Sequence, residues 1–244
     1  MKHTRIHITS SGPRTGTTLL AEAMRVCYDI VNFSQHEAPL SVSNSTFCEE
    51  GIVLTKQPSK TYGLNKILNF DKDLYIICLY RDPRDMVCSF HGANKSKYYC
   101  ELNYWLSFFD DIKKIINHQR LLLFSYEELT TNPDKVQKEL TRRIKCLNFK
   151  FLFSEYHLVS NPSKASLLAL NKLRPIDASG IGNWKHHLPR VKQQIEKYGD
   201  ITESLVFFKY EDSKQWLAEL KNVNSINYPS HRKYKNKKLS INVY

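Results

Sequence analysis

Several things this sequence lacks narrow its chemistry. Its six cysteines stand at 27, 48, 78, 88, 100 and 146, and no two of them form a CxxC. No His/Cys cluster has the spacing of a zinc site. A chain of 244 residues with a real core does not need a disulfide framework, so the thiols are read as reduced and the protein as cytoplasmic. No apolar run approaches the ~20 residues of a membrane helix. Residues 1–9 hold no leucine-rich leader. A soluble protein is expected.

Acidic residues are also scarce: 24 Asp and Glu face 36 Lys and Arg, giving a net charge of +12. A field of that sign draws anions such as nucleotides, nucleic acid, acidic glycans or anionic lipid. It equally describes a surface that lysines merely solvate. What is present suits a packed fold. Hydrophobic residues make up 41% of the chain, and there are 14 Tyr and 12 Phe.

The chain alternates strand-like and helix-like stretches. Arg5-Ile-His-Ile-Thr9 reads as a short strand, Ser10 to Gly16 as a loop, and Thr17 to Tyr28 as a helix. Residues 32–50 are Ser- and Asn-rich and read as irregular. Gly51 to Thr55 is a second strand, ending at Lys56, and Leu74 to Tyr80 is apolar enough for a central strand buried on both faces. A helix is expected from Asp85, and a long one over Tyr99 to Asn117. Leu121 to Phe124 reads as a buried strand. Asn132-Pro133 opens a helix that runs to about Cys146. The pattern predicts an α/β fold with a doubly wound, mainly parallel sheet flanked by helices. One domain is expected over 1–228, with a loosely attached basic tail over 229–244. That tail carries His231-Arg-Lys-Tyr-Lys-Asn-Lys-Lys238, a solvated segment or a peripheral contact for lipid or acidic substrate.

The first loop carries chemistry. A glycine-containing turn into a helix offers backbone N–H groups and the positive end of the helix dipole to an anion. Thr17 and Thr18 add hydroxyls, and Arg14 adds a forked cation. The loop is not a Walker A motif: three residues separate Gly12 and Gly16, and Thr17 stands where the lysine belongs. A nucleotide kinase-like P-loop enzyme therefore loses its main cation and its metal-holding register. Read alone, the loop is also compatible with an ordinary helix start.

Pro13-Arg-Thr-Gly-Thr-Thr18 resembles, position by position, the donor loop of the sulfotransferases that use 3′-phosphoadenosine 5′-phosphosulfate (PAPS). The arginine form followed by Leu-Leu is similar to the bacterial carbohydrate members, and Leu19 stands where the animal cytosolic enzymes stack an aromatic ring on adenine. Three further segments carry the resemblance. Arg81 ends a buried strand, with Ser89 eight residues on, as in the family's grip on the 3′-phosphate. Ser125-Tyr-Glu-Glu-Leu129 matches a segment whose tyrosine, here Tyr126, lies beside the adenine. Ser179-Gly-Ile-Gly-Asn-Trp184 resembles the glycine- and tryptophan-containing loop over the 3′-phosphate, with Ser179 and Gly180 as donor contacts and Trp184 as packing. The cation that precedes this loop in the animal enzymes is missing from Asp177-Ala-Ser179, and Arg174 or Lys185 is offered in its place.

The resemblance implies a P-loop NTPase-like sulfotransferase fold, PAPS as co-substrate held by Arg14, Thr15, Gly16, Thr17, Thr18, Arg81, Ser89, Tyr126, Ser179 and Gly180, and no metal. It implies sulfuryl transfer to an acceptor hydroxyl with release of 3′,5′-ADP. Arg14 would meet the leaving phosphate and Lys56 the sulfuryl group; a solvated lysine at a strand end is the alternative for Lys56. The animal cytosolic enzymes place a histidine base shortly after that lysine, where Gln57-Pro58-Ser59 stand here. The bacterial carbohydrate members place a glutamate after the first helix, so the resemblance implies Glu37 or His36 as base, with His91 a weaker candidate. A small-molecule acceptor, or a glycan or glycolipid, is expected, with no nucleic acid partner. A non-catalytic anion- or nucleic-acid-binding module would use the charge but leave Arg81 and Ser89 unexplained.

Overall fold

A computed structural model describes residues 3–34, 37–40, 51–91 and 94–232. The chain opens with β1 (His3–Ser10), α1 (Thr17–Cys27), β2 (Asn32–Phe33) and β3 (Gly51–Lys56). It continues through α2 (Leu64–Phe70), β4 (Leu74–Tyr80), α3 (Pro83–Cys88), β5 (Phe90–His91) and β6 (Asn94–Tyr98). Next come α4 (Asn103–Ile112), β7 (Leu121–Ser125), α5 (Tyr126–Thr131) and α6 (Pro133–Arg143). The last elements are α7 (Tyr156–Val159), α8 (Lys164–Leu170), α9 (Leu188–Tyr198) and α10 (Thr202–Phe207), with short 3₁₀ turns at Asn183–His187 and Lys214–Leu220.

Five strands form one parallel sheet in the order β2-β3-β1-β4-β7. β1 is central, pairing Ile8 with Lys56 on one side and Ile77 on the other. The apolar strands explain the layering. Ile6, Ile8, Ile77 and Leu79 bury against α1 and the segment after β7, while Leu74, Ile76 and Cys78 bury against the helices of the opposite face. Helices thus cover both faces, as a parallel sheet requires. The chain leaves β1 toward β3 on one side and reaches β4 and β7 on the other. The carboxyl ends of β1 and β4 therefore flank the crevice where open α/β sheets bind ligands.

Four expectations need correction. The segment read as irregular holds a short strand, β2, paired with β3. The helix expected from Asp85 starts two residues earlier, because Asp82 caps it by accepting from Arg84 N (2.9 Å) and Pro83 fits its first turn. The long helix over 99–117 shrinks to Asn103–Ile112. Its expected first turn is bonded elsewhere: Tyr99 N donates to Ser89 O (2.8 Å), Tyr99 O accepts from Arg232 N (2.9 Å) and Cys100 O from buried Arg190 (2.9 Å). Strand–helix alternation also stops at Ser125: among the described residues, no later segment joins the main sheet.

Among the described residues no disulfide forms, and Cys27, Cys78, Cys88 and Cys100 are buried free thiols. No helix of the described residues is long and apolar enough to cross a membrane.

Candidate active site

The loop after β1 is bent by its own side chains. Ser10 and Thr15 hydroxyls both donate to Gly12 O at 2.8 Å, and Ser11 N donates to Leu79 O. Gly12 has no room for a side chain, since a Cβ would stand 2.6 Å from Met86 Sδ. Gly16 has φ +81°, a left-handed value that glycine adopts without strain, and it enters α1 there. Arg14 holds φ +68° without being glycine. That costs energy, and such strain concentrates at ligand sites. Its largely buried guanidinium titrates below the usual value, first because of burial and then because Arg81 lies close. Its Nε is buried with no partner among the described residues.

Arg81 leaves β4 into the same crevice, 6% exposed. Its guanidinium lies over the Tyr126 ring with Cζ 4.3 Å from the centroid. Nη1 donates to Arg14 O (2.8 Å) and approaches Ser89 Oγ (3.4 Å), while Nη2 donates to Gly180 O. The side chain thus joins four segments far apart in sequence. A Cβ on Gly180 would fall 2.7 Å from the Tyr126 hydroxyl and 3.1 Å from Arg81 Nη2.

Asp82-Pro-Arg-Asp85 holds the fourth segment in place. Asp85 accepts from Gly182 N (2.7 Å) and Trp184 N (2.8 Å). Its burial raises its pKa, against the pull of Arg81 and those two N–H groups. Arg84 is buried. It pairs with Asp82 (2.7 Å) and Glu211, and lies 4.1 Å over the Trp184 ring. Burial works against its charge, but the two carboxylates outweigh burial and lift its pKa. Asp85 and Arg84 thus form a clasp on the loop at 180–184, and the sequence signal for it is the acid on either side of Pro83-Arg84. Trp184 is 3% exposed, a packing residue.

On the far side, Lys56 ends β3 and is buried, with Nζ donating to Thr18 Oγ1 at 3.1 Å. Burial lowers its pKa, and the carboxylates of Glu37 and Glu22 push it back up. Glu37 is exposed and lines the same cavity as Arg14, Gly16, Thr17, Thr18 and Arg81. His36 and the side chain of His91 lie outside the described residues, as do 233–244 of the basic tail. Ser179 does not line the cavity. Its hydroxyl and N–H are turned to Asp177, and Arg174 is ion-paired to the same aspartate. Among the described residues no group of three or more His, Cys, Asp or Glu is placed to hold a metal.

The cavity measures about 1680 Å³. Tyr99, Tyr104, Tyr156, Leu167 and Leu168 contribute to its lining. Drug-sized sites occupy roughly 300–1,000 Å³, so this cavity is larger than one such site.

No curated protein sequence matches the chain. Among solved structures it is similar to a mouse sulfotransferase, SULT7A1, complexed with PAP. Identity is 16%, with 90% of this chain and 89% of that chain covered at a TM-score of 0.51, a likeness of fold. The sulfotransferase domain of the curacin biosynthetic pathway matches at 14% identity, covering 74% of this chain and 89% of that one, TM-score 0.49. That of the Synechococcus PCC 7002 olefin synthase matches at 16%, covering 74% and 87%, TM-score 0.48. A family model described as a sulfotransferase domain fits residues 5–221, from the first strand past the last helix, and the chain belongs to that family.

Proposed function

We propose that this cavity binds PAPS and transfers its sulfuryl group to a hydroxyl of a glycan or glycolipid, releasing 3′,5′-ADP. The observation that carries the reading is Arg81. It meets Ser89, the Arg14 carbonyl and the Gly180 carbonyl, and lies against Tyr126. One guanidinium thereby couples a loop built for the 5′-phosphosulfate to a second anion position beside an aromatic ring. A nucleotide with phosphates at both ends would use both.

Sulfuryl transfer resembles phosphoryl transfer: the transition state is loose and catalysis is mainly positioning and charge stabilisation. The acceptor oxygen bonds to sulfur while the bond from sulfur to the bridging oxygen breaks. The leaving phosphate keeps that electron pair, and Arg14 with the loop N–H groups meets it. Lys56, held by Thr18, neutralises the sulfuryl oxygens. The acceptor proton goes to Glu37, exposed in the cavity wall beside Lys56, or to His36. The tyrosines and the leucines of α8 offer the stacking and apolar surface that a sugar or glycolipid uses.

Calorimetry with 3′,5′-ADP and with ATP, both without magnesium, tests the donor. Tight binding of 3′,5′-ADP alone is expected; preference for ATP would sink the reading. A screen of hydroxyl acceptors with labelled PAPS tests the rest.

A further inference from the structure

The segment after the last 3₁₀ turn comes back to the cavity. Ile226 N donates to Pro189 O (3.4 Å), and buried Arg190 reaches Ser230 Oγ (2.7 Å) and Tyr228 O (3.4 Å). Tyr98 and Ser230 form a parallel bridge, and His231 N and Arg232 N donate to Tyr98 O (2.8 Å) and Tyr99 O (2.9 Å). Expected to hang loosely from 229, the chain is therefore tied down as far as Arg232.

Hydrogen bonds link Arg232 to Ser89 through a single residue: Tyr99 O accepts from Arg232 N, and Tyr99 N donates to Ser89 O. The Arg232 guanidinium lies 5.7 Å from the Tyr99 ring centroid, and that of Arg14 lies 6.0 Å from the same centroid. Arg232 lines the cavity with Arg14, Arg81 and Ser89.

Charge balance points the same way. Arg25, Arg84 and Arg174 each have a carboxylate partner, but among the described residues no ion pair holds Arg14, Arg81 or Arg232. The cavity they line also holds Asp85 and Glu37, but three guanidiniums with no ion pair of their own favour an anion there. Two of Arg81's five donors are already taken by the carbonyls of Arg14 and Gly180, so a further guanidinium adds donors that Arg81 no longer offers.

We propose that Arg232 is a third guanidinium of the nucleotide site and binds the same 3′-phosphate as Arg81 and Ser89. The inference rests on the PAPS assignment above. It makes the C-terminal segment part of the donor site, supplied from a part of the chain that the four sequence motifs do not reach.

The test compares 3′,5′-ADP with 5′-AMP by calorimetry at low salt, in the full-length wild type and in Arg232→Ala. The residue is exposed, so folding should survive; a thermal melt checks it. The variant should bind 3′,5′-ADP about tenfold more weakly, as loss of one charge-assisted contact predicts, and 5′-AMP nearly as before. Arg232→Lys should recover part of the loss. A variant that keeps the wild-type preference for 3′,5′-ADP over 5′-AMP overturns the role of Arg232. So does one that weakens both ligands equally. A wild type with no such preference instead overturns the donor assignment, which separates the two failures.

Discussion

Arg81→Ala is the most incisive perturbation of this site. The side chain is nearly buried and makes bonds to two backbone carbonyls and an approach to Ser89 Oγ. Two effects must be told apart. As a strut, Arg81 holds the loop at Gly180 against the loop at Arg14; removing it strands two carbonyls and costs about 1–3 kcal/mol of stability. As a ligand residue, it gives a 3′-phosphate one or two charge-assisted bonds at about 1.5–3 kcal/mol each. Loss of both roles at the 3′ end predicts a drop in 3′,5′-ADP affinity of roughly 10²–10³-fold. A nucleotide without the 3′-phosphate cannot feel the second effect. Titrating wild type and variant with 3′,5′-ADP and 5′-AMP therefore separates the roles. A large loss for the bisphosphate with a loss under about threefold for 5′-AMP fits a phosphate-binding arginine. Arg81→Lys should restore less than half of the lost free energy, since an ammonium cannot reproduce the fork. Equal losses for both nucleotides would refute the ligand role and leave only the strut.

Four further outcomes are expected. Gly180→Ala drives a methyl into the Tyr126 hydroxyl and Arg81 Nη2, so 3′,5′-ADP affinity should fall about tenfold while the melting temperature barely moves. Lys56→Met should leave 3′,5′-ADP binding within about twofold yet slow sulfuryl transfer by roughly 10²–10³, the cost of one lost oxyanion donor; unchanged turnover with labelled PAPS would remove Lys56 from the chemistry. Arg84→Met strands Asp82 in a buried site, and chemical denaturation should register a loss of about 3–5 kcal/mol. His7, buried beside Thr55, has its pKa lowered to about 3, by burial first and Arg5 second. The unfolded chain takes that proton near pH 6.5, so the contribution is complete above pH 6.5 and lost as pH falls toward 3. Wild type should lose roughly 2 kcal/mol more than His7→Gln between pH 6.5 and 5, and parallel urea midpoints for the two would contradict it.

The parts of the fold that were readable in the sequence are those fixed by local pattern. Leu74 to Tyr80 is apolar along its length, and the structure puts it beside the central strand. The Gly-containing turn into α1 announces itself by composition. What failed was decided by partners far along the chain. Nothing near Tyr99 and Cys100 tells that their carbonyls belong to Arg232 and Arg190, so an aromatic helical pattern was extended too far. β2 is two residues long and exists only because β3 offers it an edge.

The candidate site divides along the same line, and Asp85 shows why. The loop at 12–18 could be picked out because its residue types suit an anion directly, and Arg81 and Ser89 because their spacing resembles a sulfotransferase motif. Asp85 touches no expected ligand; it accepts from two N–H groups nearly a hundred residues away, at Gly182 and Trp184. A carboxylate in an arginine-rich crevice would normally weaken anion binding. Asp85 keeps its charge beside Arg81, but both its oxygens also hold the loop whose Gly180 O meets Arg81, so it acts on the site through charge and through geometry in opposite directions. Asp85→Asn would remove the charge, yet its amide can accept only one of the two N–H bonds and would turn a donor toward the other. If geometry dominates, that variant binds 3′,5′-ADP more weakly than wild type despite the added net positive charge. If charge dominates, it binds more tightly, and the clasp is only packing.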